Sequence, residues 1–170
     1  MRPPIIRRLL SALDPPPNLP DYDAACRDFS WSAAARELDV SMDGPFNIAA
    51  LAVDRHLRTS VRDRVALRFI ARHGHRRDVT YAELAAVTNR FANVLRDLGV
   101  GKGDRVFFVA DRIPELYIGV LGALKSGAVV STLFSAFGPE PLETRLSLGE
   151  AKVLITTALI AIENDLGAAH

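Results

Sequence analysis

Residues 80–134 read TYAELAAVTNRFANVLRDLGVGKGDRVFFVADRIPELYIGVLGALKSGAVVSTLF, and this stretch decides the fold of the chain. Thr80 and Glu83 form a Thr-x-x-Glu capping box, which is typical of the first turn of a helix. Side chains suited to a buried face then recur at helical spacing until Gly99, which supplies a left-handed helix end. They are Tyr81, Leu84, Thr88, Phe91, Leu95 and Leu98. The stretch therefore begins with an amphipathic helix that ends just before Gly99.

Two short apolar runs in the same stretch, residues 105–110 and 128–134, predict strands that are covered on both faces. Pro114 and Glu115 begin a helix between them, because proline loses no hydrogen bond at that position and glutamate favours the positive end of the helix dipole. The inward side chains of this helix are expected to be Leu116, Val120, Leu121 and Leu124. A strand–helix–strand unit of this kind forms a parallel sheet, so the predicted fold class is α/β.

The pattern continues on both sides of this stretch. Further elements are predicted as a helix over residues 46–59, a hairpin of residues 65–70 and 77–80, a helix from Pro139 and a buried strand over residues 153–157. The order from residue 105 is then β-α-β-α-β. The predicted architecture is a partial doubly wound parallel sheet, preceded by a β-hairpin and helices.

Composition excludes several classes of function. The chain has 170 residues, 49% of them hydrophobic, with a net charge of +1 and scattered arginines. We therefore expect no nucleic acid and no membrane as a partner. Cys26 is the single cysteine, which excludes a disulfide framework and suits a reducing cytoplasm. The first 13 residues are too interrupted by arginine for a signal sequence or membrane span, so a cytoplasmic protein is expected.

The glycines and histidines carry no recognisable catalytic or metal motif. Gly99, Gly101 and Gly103 lie between a helix and a strand, whereas a dinucleotide-binding glycine loop follows a strand and begins a helix. We interpret them as a helix end and a turn. His73 and His75 lack a third ligand nearby in sequence, so they are interpreted as a solvated turn rather than a metal site. No catalytic and no metal-binding residue is predicted.

The loop over residues 134–140 is the strongest candidate for ligand contact. It follows a predicted parallel strand, and ligands of open α/β sheets bind at the carboxyl ends of the strands. Ser135, Ala136 and Gly138 are small, and a helix begins at Pro139, so an anion or other ligand could approach the backbone. On residue pattern alone, a plain connection between strand and helix is an equally good interpretation.

Several stretches occur in an order that carries a family resemblance. They are residues 46–49, 53–57, 78–84, 89–95, 99–106, 112–116, 121–129, 134–140 and 150–157. In this order they resemble the N-terminal part of AMP-forming acyl-CoA synthetases, particularly the acetyl-CoA synthetases. The resemblance divides the chain into an N-terminal extension with a proline-rich linker (1–45), a family-like α/β subdomain (46–157) and a tail unlike the family (158–170).

The resemblance implies a reaction that this stretch cannot complete by itself. The family uses ATP and Mg²⁺ to convert a carboxylate to an acyl-adenylate and then transfers the acyl group to CoA. Its phosphate-holding loop and its C-terminal lid lie downstream of the region matched here. The resemblance therefore implies a truncated acetyl-CoA synthetase-like chain that is inactive alone, and it assigns no bound cofactor to this stretch.

By position, the resemblance implies a CoA contact at Phe134, Ser135 and Ala136, where the family often has Phe-Gly-Gly. The arginines that commonly follow the strand matching residues 153–157 are absent here. The alternative is a CoA-binding, nucleotide-binding or interaction module that pairs with a separately encoded remainder. A stand-alone dinucleotide-binding enzyme ranks last. Exposed sheet edges predict self-association or pairing with the missing remainder.

Overall fold

The computed structural model of the chain describes residue 14 and residues 17–163. The described residues fall into two compact units, one ending at Phe46 and the other beginning at Asn47. The first unit contains helices α1 (Tyr22–Asp28) and α2 (Trp31–Leu38), whose first turns are capped by the side chains of Asp21 and Ser30. The predicted proline-rich linker and the predicted tail lie partly outside the described residues.

The second unit follows the predicted order of elements closely. It contains α3 (Ile48–Ala52), a 3-10 helix (Asp54–Arg58), β1 (Val65–Ile70), β2 (Arg76–Thr80), α4 (Tyr81–Asp97), β3 (Arg105–Val109), α5 (Pro114–Lys125), β4 (Val129–Leu133), α6 (Pro139–Leu148), β5 (Val153–Thr156) and α7 (Ala158–Glu163). Strands β1 and β2 form the expected antiparallel hairpin. Strands β3, β4 and β5 form a parallel sheet, which confirms the α/β fold class.

Helix α4 begins and ends as its sequence predicts. The Thr80 N–H donates to Glu83 Oε2 over 2.8 Å, and the Glu83 N–H donates to Thr80 Oγ1 over 3.2 Å, which completes the capping box. Gly99 has a φ of +78°. Leu98, predicted to be buried, is 64% exposed. That prediction is wrong because Leu98 caps the helix with a ψ of 6°, outside helical geometry, and therefore leaves the buried stripe.

Strand β3 lies at the centre of the parallel sheet, between β4 and β5. Its residues Val106 to Val109 are all buried, as expected for a strand covered on both faces. Strand β4 lies at an edge, and Val129 is 53% exposed. No residue of β4 is fully buried, so the prediction that residues 128–134 form a strand covered on both faces is wrong.

Helices α5 and α6 cover opposite faces of this sheet. Phe108 packs with Ala123 of α5, and its neighbour Val109 packs with Leu142 of α6. Successive side chains of a strand point to opposite faces, so the two helices lie on either side of β3.

Helix α5 packs against its neighbours through small residues as well as through the predicted side chains, since Leu116, Val120 and Leu121 all contact the core. Gly119, Gly122 and Ala123 are buried, whereas the four predicted inward side chains are only half-buried. A Cβ atom at Gly122 would lie 2.8 Å from the Thr88 carbonyl oxygen and 2.8 Å from Phe91 Cδ1. Glycine at position 122 therefore sets how closely α4 and α5 approach.

The helix predicted over residues 46–59 is two shorter helices. Asn47 caps α3, because its Oδ1 accepts hydrogen bonds from two amide N–H groups of the first turn. Phe46 lies before this cap and is 66% exposed. Val53 has φ −123° and ψ −61°, which interrupts the helix before the 3-10 segment. The single-helix prediction is wrong because periodicity alone does not detect this interruption.

The glycine-rich segment between α4 and β3 is held as a turn. Lys152 Nζ donates to the Gly99 carbonyl over 2.7 Å and to Asp104 Oδ2 over 2.6 Å. The Gly101 N–H donates to the same carboxylate over 2.7 Å. The hydrogen bond from Lys152, followed by that from Gly101, holds the pKa of Asp104 below its usual range. Lys152, which immediately precedes β5, thereby holds the turn in place at the amino ends of the strands.

Candidate functional site

The loop after β4 presents an exposed aromatic ring at the carboxyl end of the sheet. Phe134 is 65% exposed, Ser135 is half-buried and Ala136 is exposed. The Phe137 N–H donates to the Phe134 carbonyl over 3.1 Å, which closes a tight turn. The three residues predicted to contact CoA therefore lie together on one accessible turn. The contact itself stays a prediction.

A second aromatic ring and a guanidinium group lie beside this turn. The rings of Phe134 and Phe137 meet edge to face, with centroids 5.8 Å apart. Arg145 Cζ lies 4.3 Å from the centroid of Phe137, and its Nη1 donates to the Pro141 carbonyl over 2.9 Å. Sequence reasoning missed Arg145 because it looked for a cation after β5. The available signal was the four-residue spacing from Pro141 to Arg145, which places the two residues next to each other on the same face of a helix.

The first turn of α6 offers few backbone donors to an anion. Pro139 and Pro141 have no N–H, and the Leu142 N–H donates to the Gly138 carbonyl over 3.3 Å. Among the first four residues of the helix, only Glu140 retains a free N–H, and its own carboxylate opposes an anion. The expected anion contact at this helix terminus therefore loses its main support, and the ring of Phe134 and the Arg145 guanidinium become the better ligand contacts.

The strand order creates a second ligand-accessible position. The chain leaves the central strand β3 towards β4 and then crosses to β5 on the other side. Such a reversal opens a crevice at the carboxyl ends of the strands. Asp111 and Arg112 follow β3 and are exposed, and Thr156 Oγ1 is buried at the end of β5 without a hydrogen-bond partner among the described residues.

The described residues contain no group of three histidine, cysteine, aspartate or glutamate side chains placed to hold a metal ion. His56 packs against the ring of Tyr81, with centroids 4.5 Å apart, which accounts for it structurally. Within the same part of the chain, no helix has both the length and the apolar character needed to cross a membrane.

Comparison with known proteins gives consistent matches. A family model described as AMP-binding enzyme matches residues 53–170. The acetyl-coenzyme A synthetase of Bacillus subtilis is 39% identical over 153 residues, which cover 88% of this chain and 26% of that protein. The crystal structure of Brucella canis acyl-CoA synthetase aligns with a TM-score of 0.77 at 32% identity, covering 86% of this chain and 26% of that one.

A third match concerns a single subdomain. The structure of the Klebsiella oxytoca NpsA N-terminal subdomain aligns with a TM-score of 0.58 at 33% identity, covering 66% of this chain and 28% of that one. The chain thus spans about a quarter of the length of the proteins it matches.

Proposed function

The chain belongs to the family of AMP-binding enzymes, and from this membership we propose that it is the N-terminal α/β scaffold of an acetyl-CoA synthetase-like acid–CoA ligase. In the reaction proposed for the whole enzyme, acetate or another short carboxylate attacks ATP to give acyl-adenylate and pyrophosphate. The thiol of CoA then displaces AMP to give acyl-CoA. The observation that carries this proposal is the agreement with an acyl-CoA synthetase over 86% of the chain, at a TM-score of 0.77. Cys26, exposed and free, suits the cytoplasm that we propose for the protein.

We propose further that these 170 residues supply scaffold and not the adenylation centre. Adenylation requires donors fixed around the transferring phosphoryl group. The sequence has neither a Gly-x-x-x-x-Gly-Lys-Ser/Thr loop nor a Ser/Thr/Gly-rich loop ending in lysine. On this proposal, the groups that hold the ATP phosphates belong to the part of the family enzyme that this stretch does not match.

The test is acetate-dependent exchange of radiolabelled pyrophosphate into ATP. We expect the 170-residue polypeptide to give no exchange above the rate without protein. The Bacillus subtilis acetyl-coenzyme A synthetase serves as the positive control in the same buffer with Mg²⁺. Acetate-dependent exchange by the polypeptide alone would contradict the scaffold proposal.

The alternative is a module that binds CoA or a nucleotide and pairs with a separately encoded remainder. The observation that favours it is the exposed Phe134 ring, which meets Phe137 edge to face, together with Arg145 over the Phe137 ring. An aromatic face stacks on a base, and a guanidinium pairs with phosphate. Stacking on an aromatic side chain contributes about 1–3 kcal/mol per base.

Calorimetry with CoA separates the two proposals. If the module is correct, we expect Phe134→Ala to weaken CoA binding by about tenfold or more, because the stacking face is removed. Phe46→Ala is the matched control, since Phe46 is 66% exposed, almost the same as Phe134. Absence of binding heat from the unsubstituted chain, or equal losses in both variants, would reject the module and leave the scaffold proposal standing.

We also propose that the isolated polypeptide self-associates through the outer edge of β4. That strand has only β3 as a neighbour among the described strands, and Val129 at its start is half-exposed. A charged side chain on an edge strand disfavours edge-to-edge pairing. We therefore expect Val129→Lys to weaken self-association about tenfold in sedimentation velocity, whereas Leu148→Lys, on an 83% exposed residue of α6, should not. A concentration-independent monomer for the unsubstituted chain would contradict this proposal.

A further inference from the structure

A cavity of about 550 Å³, lined mostly by residues with polar or charged side chains, opens at the amino ends of the parallel strands. Its walls are α3 with the following 3-10 helix, one face of α4 and the end of α5. Ser126 in its lining precedes β4, whereas Phe134 follows the same strand. The cavity and the Phe134 loop are therefore separated by five strand residues, or about 16 Å. Neither proposed function uses the cavity.

A buried cation forms part of the cavity wall. The Lys125 side chain is only 6% exposed, and its Nζ donates to Asp54 Oδ1 over 2.6 Å and to Asn89 Oδ1 over 2.8 Å. An ammonium group has three N–H donors, so one donor of Lys125 remains unused. These bonds also occupy one oxygen of Asp54 and the side-chain oxygen of Asn89, which are acceptors that would otherwise repel an anion.

The α4 wall carries further unused donors. Asn89, Asn93 and Arg96 are spaced four and then three residues apart, so they share one face of the helix, and all three line the cavity. The Asn89 Nδ2, the Asn93 amide and the Arg96 guanidinium make no hydrogen bond or ion pair within the described part of the chain. The arginine and the two amides therefore place hydrogen-bond donors along the same wall of the cavity.

Several other acceptors around the cavity are already hydrogen-bonded. The last carbonyls of α5, those of Leu124 and Lys125, accept hydrogen bonds from Asn47 Nδ2 over 2.8 and 3.2 Å. Asp104, which bonds the lining residue Gly101, is paired with Lys152. The lining thus holds two cations against one carboxylate, and that carboxylate is already paired.

We propose that this cavity binds a small oxyanion, either a carboxylate or a phosphate. Arg96 supplies the free positive charge, and Asn89, Asn93 and Lys125 supply hydrogen bonds. A purely structural role for the Lys125–Asp54 pair accounts for that contact alone. The side chains of Asn93 and Arg96 are exposed and line the cavity, so their donors are accessible to an anion that enters from the solvent.

The test is a nuclear magnetic resonance titration of the 170-residue chain. Inorganic phosphate and sodium acetate are added separately, with sodium chloride adjusted to hold the ionic strength constant. The signals followed are the side-chain amides of Asn89 and Asn93. We expect saturable shifts with a dissociation constant of roughly 1–10 mM for at least one of the two anions. Saturation by phosphate alone, by acetate alone or by both supports the proposal and identifies the class of anion.

Matched variants make the site assignment specific. Arg96→Gln should weaken binding about tenfold, whereas Arg90→Gln, on an exposed residue of the same helix outside the cavity lining, should leave it unchanged. Asn93→Leu removes an unused amide without touching the Lys125–Asp54 pair and should also weaken binding. The proposal is overturned if neither anion gives saturable shifts, or if the Arg96 and Asn93 variants bind as well as the Arg90 variant does.

Discussion

Gly122→Leu is expected to destabilise the second unit by about 3 kcal/mol or more, the upper end of the range for overpacked cores. The added Cβ atom would lie 2.8 Å from the Thr88 carbonyl oxygen, and this oxygen belongs to the backbone of α4. Thr88 is fully buried, and its hydroxyl donates to the Leu84 carbonyl over 2.7 Å, so this turn of α4 has little room to move. Helices α4 and α5 would have to separate and open the core between them.

Urea unfolding followed by circular dichroism measures this loss. Gly122→Ala should be intermediate, because it introduces the same Cβ clash without the rest of the side chain. Gly101→Ala is the matched control, since its Cβ would meet only Asp104 Oδ2 at 3.7 Å, an ordinary contact. We expect that control to change the unfolding free energy by less than about 0.5 kcal/mol. A Gly122→Leu chain as stable as the Gly101→Ala chain would show that the two helices are not in close contact.

Elements governed by local signals were predictable from the sequence. Three such signals each act within one helical turn and can be located from the sequence. They are the capping box at Thr80, the glycine at the end of α4 and the proline at the start of α5. Strand β3 was recognisable because a strand that is buried on both faces has apolar side chains at successive positions.

The arrangement of those elements was not predictable in the same way. Which strand lies at the centre depends on contacts between residues far apart in sequence, and the β4 run resembles the β3 run although β4 is at an edge. The helix contact at Gly122 was missed because a glycine inside a helix carries no apolar signal. Its role is visible only when Thr88, in another helix, lies against it.

The same reasoning applies to the two candidate sites. The turn at Phe134 could be located because it follows a predicted strand, a local relation. Arg145 was missed because one helical turn of α6 brings it over Phe137. The polar cavity joins Asn47, Asn89 and Lys125, which are separated by 78 positions between the first and the last. No sequence pattern connects such distant residues.

Asp54→Ala is expected to cost about 3 kcal/mol of unfolding free energy, comparable with the loss at Gly122. Lys125, whose side chain is 6% exposed, would lose its carboxylate partner and retain Asn89 as its only described hydrogen-bond partner. The cost arises mainly from this unpaired buried cation rather than from the lost attraction. Lys125→Met on the same background should therefore recover a large part of the stability, because methionine fills similar volume without a charge.

A double-mutant cycle tests whether the coupling energy of the Lys125–Asp54 pair comes from its burial or only from the short distance between the two groups. Arg105 and Glu150 form an ion pair of nearly the same length, 2.7 Å against 2.6 Å, but the Glu150 side chain is 79% exposed. Water screens such a pair, so Glu150→Ala should cost about 0.5 kcal/mol or less. If burial is decisive, the coupling energy at Lys125–Asp54 should exceed that at Arg105–Glu150 by about 2 kcal/mol. Equal coupling energies would mean that water screens the Lys125–Asp54 pair as strongly as it screens the exposed pair.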